Sequence, residues 1–119
     1  MARPKHRTKA GETYFVTTDA WERRKVFLKS TAAELVEAKL FEYRDKGRYC
    51  VHHYVVMPDH FHVLLTPGIT TSLERAIGLI KDGASFEIGK ALRMKFPVWH
   101  EGFTEHGIRD AEDYETHVR

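Results

Sequence analysis

Apolar and polar residues fall into segments of two different periods along the chain. Tyr14-Phe15-Val16-Thr17-Thr18 is aromatic and β-branched and predicts a first strand. A polar stretch follows, Trp21 to Phe27, carrying Arg23, Arg24 and Lys25 between two aromatic anchors. Leu35, Val36, the stem of Lys39, Leu40 and Tyr43 then recur at helical spacing. Thr31 with Glu34 reads as a capping box at the start of this helix, and Gly47 as its C-terminal stop. Residues 48–57 predict a second strand, with Tyr49, Val51, His53 and Val55 on one face and Cys50, His52, Tyr54 and Val56 on the other. Pro58-Asp59 is a turn, and an apolar third strand runs from it until Pro67-Gly68.

A second helix follows, capped by Thr71 or Ser72, with Leu73, Ile77, Ile80, Ala84, Ile88, Ala91 and Leu92 on one stripe. Gly83 inside it predicts a kink or a close backbone approach, and Pro97 ends it. Lys81 and Lys90 are placed on its exposed side. Val98 to Phe103 alternates like a short strand, and residues 106–109 could be its return. Trp99 and Phe103 read as core anchors in preference to base-stacking groups. Asp110 would cap a last helix, with Glu112 and Asp113 favouring its dipole. The order β-α-β-β-α-β-β-α implies an α+β, ferredoxin-like split βαβ sandwich. Its antiparallel sheet would carry the two long helices on one face and the C-terminal helix near the opposite one.

Chemistry concentrates in the third strand. Successive side chains on a strand point to opposite faces, so His60 and His62 lie side by side, able to share one divalent metal. Imidazole suits transition metals better than hard alkaline-earth ions. His52 and His53 are adjacent, so at most one of them can approach that pair.

Composition narrows the picture. The chain has 119 residues, enough for one domain with a core that needs no staples. Its single cysteine, Cys50, excludes an internal disulfide, and its apolar surroundings predict a buried thiol in a reducing compartment. No apolar run approaches membrane-spanning length, and no secretory signal follows the basic N-terminus, so a cytoplasmic protein with no membrane partner is expected. The net charge of +2 hides a polarity: residues 1–29 hold eight Lys/Arg against three Asp/Glu, and residues 99–119 hold two against six. Residues 1–12 read as a flexible basic arm, able to bind phosphate or merely solvated.

The stretch Val55-Val56-Met57-Pro58-Asp59-His60-Phe61-His62-Val63-Leu64-Leu65 resembles the single-tyrosine HUH transposases of the smallest bacterial insertion sequences, and among them the REP-associated tyrosine transposases. The first strand, the Arg23/Phe27 loop, the Lys81/Ser85 helix, Val98-Trp99 with Phe103, and Ile108-Arg109-Asp110 extend the likeness over residues 13–119, a single domain. The resemblance implies a metal-dependent endonuclease and strand transferase acting on single-stranded or hairpin DNA, as monomer or homodimer. His60 and His62 would hold Mg²⁺ or Mn²⁺, and Arg23, Arg24, Lys25 and Lys81 would contact DNA. A tyrosine on the last helix would form a 5′-phosphotyrosine, with a polar residue four positions on as third ligand. The family pattern places that tyrosine immediately beyond Arg119. Tyr114 is the tyrosine present on that helix, about 240° around it from the implied position, where helix-face packing is the better reading. His117 could stand in for the third ligand. Two further readings remain beside the enzyme: a hairpin-binding module without the nucleophile, and an interaction domain whose histidines are incidental. Loss of metal as pH falls through about 6.5 would support a metal site in either DNA-handling form.

Overall fold

The computed structural model describes residues 11–108. Four strands and two long helices follow in the order β1 (Tyr14–Asp19), α1 (Ser30–Asp45), β2 (Tyr49–Met57), β3 (His60–Pro67), α2 (Leu73–Leu92) and β4 (Thr104–Gly107). Two 3₁₀ turns, Trp21–Arg23 and Val26–Leu28, join β1 to α1. The sheet is antiparallel with order β2-β3-β1-β4, the split βαβ arrangement. The arm over residues 1–10 and the helix expected after Asp110 lie outside the described residues, as do Tyr114 and His117.

The core lies on one face of the sheet. Tyr14, Val16, Phe61, Val63 and Leu65 point from the two central strands into it. Ala32, Val36 and Leu40 of α1 and Leu73, Ile77, Ile80, Ala84 and Ile88 of α2 cover them. Burial of these side chains supplies about 1.5–3 kcal/mol for each large aliphatic group, before chain entropy is set against it. Close packing of the helices is possible because a side chain at Gly83 would meet Cδ of Lys39 at 2.9 Å. The expected close approach at Gly83 is therefore present, and α2 runs through it as one helix.

Several expectations are corrected. Helix α1 begins at Ser30 with Lys29 as N-cap and no side-chain cap, two residues ahead of the Thr31 capping box. At its other end Gly47 takes φ 76°, as its role as a stop requires. Ser72 is the cap of α2, its Oγ accepting from the Arg75 N–H at 3.0 Å. That helix ends at Leu92, where Arg93 turns left-handed, so Pro97 is not what stops it, and Ala91 is exposed. Residues 98–103 form no strand beyond a single bridge between Trp99 and Ala20, and β4 pairs with β1 instead of returning along them. In β2 a bulge between Val51 and His53 shifts the alternation, so Tyr54 and Val56 join Tyr49 and Val51 on the core side. Cys50 is exposed, because it precedes the bulge on the side away from the helices.

Candidate metal centre and its surroundings

The second face of the sheet carries the histidines. β3 is central, paired with β1 on one side and β2 on the other. In register, His60 sits between Asp19 and Met57, and His62 between Thr17 and Val55. The Pro58-Asp59 turn that delivers them is tied down by its carbonyls. Asp59 O accepts from the Ala20 N–H at 2.9 Å, and Pro58 O from the Phe27 N–H at 3.0 Å.

The two imidazoles meet edge to face, with ring centroids 4.5 Å apart. Their Nε2 atoms approach to 3.0 Å, and each Nδ1 has its own partner. His60 Nδ1 lies 2.7 Å from Asp59 Oδ1. His62 Nδ1 lies 2.8 Å from Thr17 Oγ1, and Phe15 stacks on the His62 ring at 5.2 Å. One proton arrangement satisfies every contact: His60 Nδ1–H donates to Asp59, His62 Nε2–H donates to His60 Nε2, and the Thr17 hydroxyl donates to His62 Nδ1. Asp59 is held in turn by Arg23, whose Nε and Nη2 donate to Oδ2 at 3.1 and 3.0 Å.

The electrostatics favour a neutral His62 ring beside an ionised Asp59 carboxylate. Burial, then the neighbouring His60, pushes His62 below the usual imidazole range, while Asp19 opposes the shift. The hydrogen bond from His60, followed by Arg23, holds Asp59 below the usual carboxylate range. His60 Nε2 carries no proton in this arrangement, and a tautomer exchange at His62 frees the second Nε2, so the two converging nitrogens suit a divalent ion, and outer carboxylate and hydroxyl partners are the groups that orient such ligands. The donor set therefore fits two ligands of a metal centre. Among the described residues, no group of three His, Cys, Asp or Glu side chains is arranged to hold a metal ion.

The other residues singled out in the sequence have diverse positions. Arg23 faces Asp59 and, at 3.9 Å, Asp19, so it reaches the pair through Asp59. Arg24 lies over the rings of Phe96 and Trp21, and Lys25 is exposed. Lys81 is not on an outward-facing side: its Nζ donates to the carbonyls of His100 and Gly102 at 2.9 and 2.7 Å and fastens that segment to α2. Trp99 is a core anchor, 8% exposed, with its Nε1–H donating to Lys81 O and its ring against Phe27. A groove of about 680 Å³ between α2 and residues 97–103 is lined by Lys81, Ser85 and Trp99 but by neither His60 nor His62. Sequence reading missed Thr17 as a partner of His62 and Asp59 as a partner of His60. Only the adjacency of Asp59 to His60 was visible in the chain. Thr17 reaches His62 through strand register.

A ferredoxin-like antiparallel sheet with a His-x-His pair opening its central strand defines the class. The family model described as "Transposase IS200 like" matches residues 12–110, and the chain belongs to that family. No curated protein sequence is significantly similar to it. Two solved structures share the fold. A REP-associated tyrosine transposase bound to a REP hairpin is 24% identical with a TM-score of 0.79, over 99% of this chain and 68% of that one. A Deinococcus radiodurans R1 protein assigned as a transposase is 15% identical with a TM-score of 0.69, over 96% of this chain and 92% of that one. Among the described residues no helix is long and apolar enough to cross a membrane.

Proposed function

We propose that this chain is a transposase domain that binds hairpin-bearing single-stranded DNA and cuts and rejoins it through a tyrosine. The observation that carries the reading is the convergence of His60 Nε2 and His62 Nε2 with both Nδ1 atoms already engaged. Family membership and the hairpin in the solved relative agree with it. A bound Mn²⁺ or Mg²⁺ would serve as Lewis acid for the scissile phosphate. Asp59 keeps His60 in the tautomer that leaves Nε2 free. The ring of His62 must exchange tautomers when its Nε2 takes up a ligand, and Thr17, both donor and acceptor, can follow that change. In the cleavage step a tyrosine oxygen bonds to phosphorus and loses its proton. The P–O bond to the 3′ carbon side breaks, leaving a 5′-phosphotyrosine and a 3′-hydroxyl. The phosphotyrosine conserves the bond for rejoining.

A second reading is hairpin binding without cutting. It is favoured by one sequence observation: the residue four after Tyr114 is Val118, not the polar side chain that the family pattern requires. Incubation with Mn²⁺ and labelled hairpin DNA separates the two, with His60→Ala as control. A metal-dependent covalent adduct on a denaturing gel, mapped to Tyr114, establishes the enzyme and overturns the helix-face reading of Tyr114. Retained hairpin binding with no adduct establishes the binding module. Absence of both refutes the two readings together.

A further inference from the structure

The loop between β1 and α1 turns through two consecutive left-handed residues, Glu22 at φ 52° and Arg23 at φ 55°. Side chains rarely adopt such angles, and when they do the surrounding structure holds them there. The turn sends neighbouring arginines to different partners. Arg23 goes to Asp59. Arg24 goes to an aromatic pair, with its guanidinium carbon 4.4 Å from the centre of Phe96 and 5.4 Å from that of Trp21. Those two rings stack at 5.5 Å with 16° between their planes.

Neither ring belongs to the hydrophobic core. Phe96 is 48% exposed and the Arg24 side chain 47%. A stacked pair of aromatic rings that contributes nothing to the core is an assembled surface for another planar group. The residues next to it in the chain are basic: Lys25, Arg93 and Lys95 are all exposed. Glu22 meets Arg24 at Nη2, 3.4 Å away, an edge contact that leaves the guanidinium plane on the rings. Through Arg23 and Asp59 the loop is continuous with His60.

We propose that Phe96, Trp21 and Arg24 form a stacking platform for an unpaired base of the DNA strand whose phosphate lies at the histidine pair. The idea rests on the DNA-handling reading above and adds which part of the DNA is read there. Every base has a π-face, aromatic rings and guanidinium planes both stack on it, and the basic neighbours match the flanking phosphates. In this arrangement Arg24 acts by its plane and not only by its charge.

The test uses the full chain, a blunt DNA hairpin, and the same hairpin with a short unpaired thymine tail on its 5′ or 3′ end. Binding is followed by fluorescence anisotropy. Intrinsic tryptophan emission is recorded as well, with Trp21→Phe correcting for buried Trp99. The expected result is tighter binding of one tailed hairpin, with quenching of Trp21. Phe96→Ala should weaken that binding about tenfold, equivalent to about 1.4 kcal/mol, and leave the blunt hairpin within about twofold. Arg24→Lys, which preserves charge and leaves the rings intact, should lose severalfold on the tailed hairpin alone. If wild type binds hairpins but both variants bind the tailed DNA as well as it does, the platform is overturned and the DNA-handling reading stands. If wild type binds neither DNA, both fall.

Discussion

Asp59→Ala removes the acceptor of His60 Nδ1–H and the partner of Arg23 in one step. The bond to His60 is short, 2.7 Å, and the His60 side chain is only 19% exposed, so water has limited room to replace the lost carboxylate oxygen. Without it His60 is free to take the other tautomer and to rotate. Outer-shell losses of this kind weaken metal binding by about 10–100-fold, and that is the range expected for Mn²⁺. Asp59→Asn keeps an acceptor but not the charge, so it should fall between. Arg23→Ala should cost at most about fivefold, because its side chain is 60% exposed and exposed ion pairs are weak. The assay is titration with Mn²⁺ near neutral pH, following the electron paramagnetic resonance signal of the free ion, with His62→Ala as reference and circular dichroism to verify folding. Asp59→Ala binding within twofold of wild type would refute the orienting role. An Arg23→Ala loss as large as that of Asp59→Ala would refute the order of importance along the chain of contacts. A wild-type chain that takes up no Mn²⁺ would refute the metal centre itself.

Thr18 is 1% exposed on the core side of β1, and its hydroxyl has no hydrogen-bond partner among the described residues. Thr18→Val replaces it with a methyl of similar shape, so thermal unfolding should move up by about 4 °C, corresponding to about 1 kcal/mol; an unchanged or lower midpoint would contradict this. Tyr49 is buried and its hydroxyl donates to Leu40 O, and burial is the main reason its ionisation is pushed above the ordinary tyrosine value. A raised folded pKa means stability that is fully present below about pH 10 and is lost as pH rises beyond it. Urea titrations across alkaline pH should show that decline, and Tyr49→Phe should flatten it while costing about 1 kcal/mol near neutrality for the lost bond.

The elements built on local pattern were legible. β1 and β3 announce themselves by aromatic and β-branched runs, and the placement of His60 and His62 on one face followed from alternation alone because β3 has no bulge. β2 misled beyond Val51 for the opposite reason: the bulge near His52 inserts a residue that strict alternation does not anticipate. The stripe on α1 was right down to the stem of Lys39, which packs against Gly83. Its start was not, since Lys29 caps through backbone geometry with no side-chain hydrogen bond. The segment after Pro97 looked like a strand because Val98 and Trp99 are apolar. Its backbone is instead held by Lys81 and by bonds to the ends of β1, contacts between residues far apart in sequence. The site divides in the same way. The histidine pair was visible, and Thr17 and Arg23, which reach the pair and its Asp59 partner, were hidden in strand register and in the turn at Glu22.

The position of β3 between two partners bears on how this family could change its specificity. A residue in the middle of a sheet is committed to hydrogen bonds on both edges, so variation there disturbs three strands together. Arg24 and Lys25 in the aromatic loop and Phe96 after α2 carry no such obligation, and their side chains can be replaced without touching the pairing of His60 and His62 with their neighbours. The architecture thus separates what must be inherited unchanged from what is open to drift. Side chains at the rim can vary while the pairing of the central strand stays fixed.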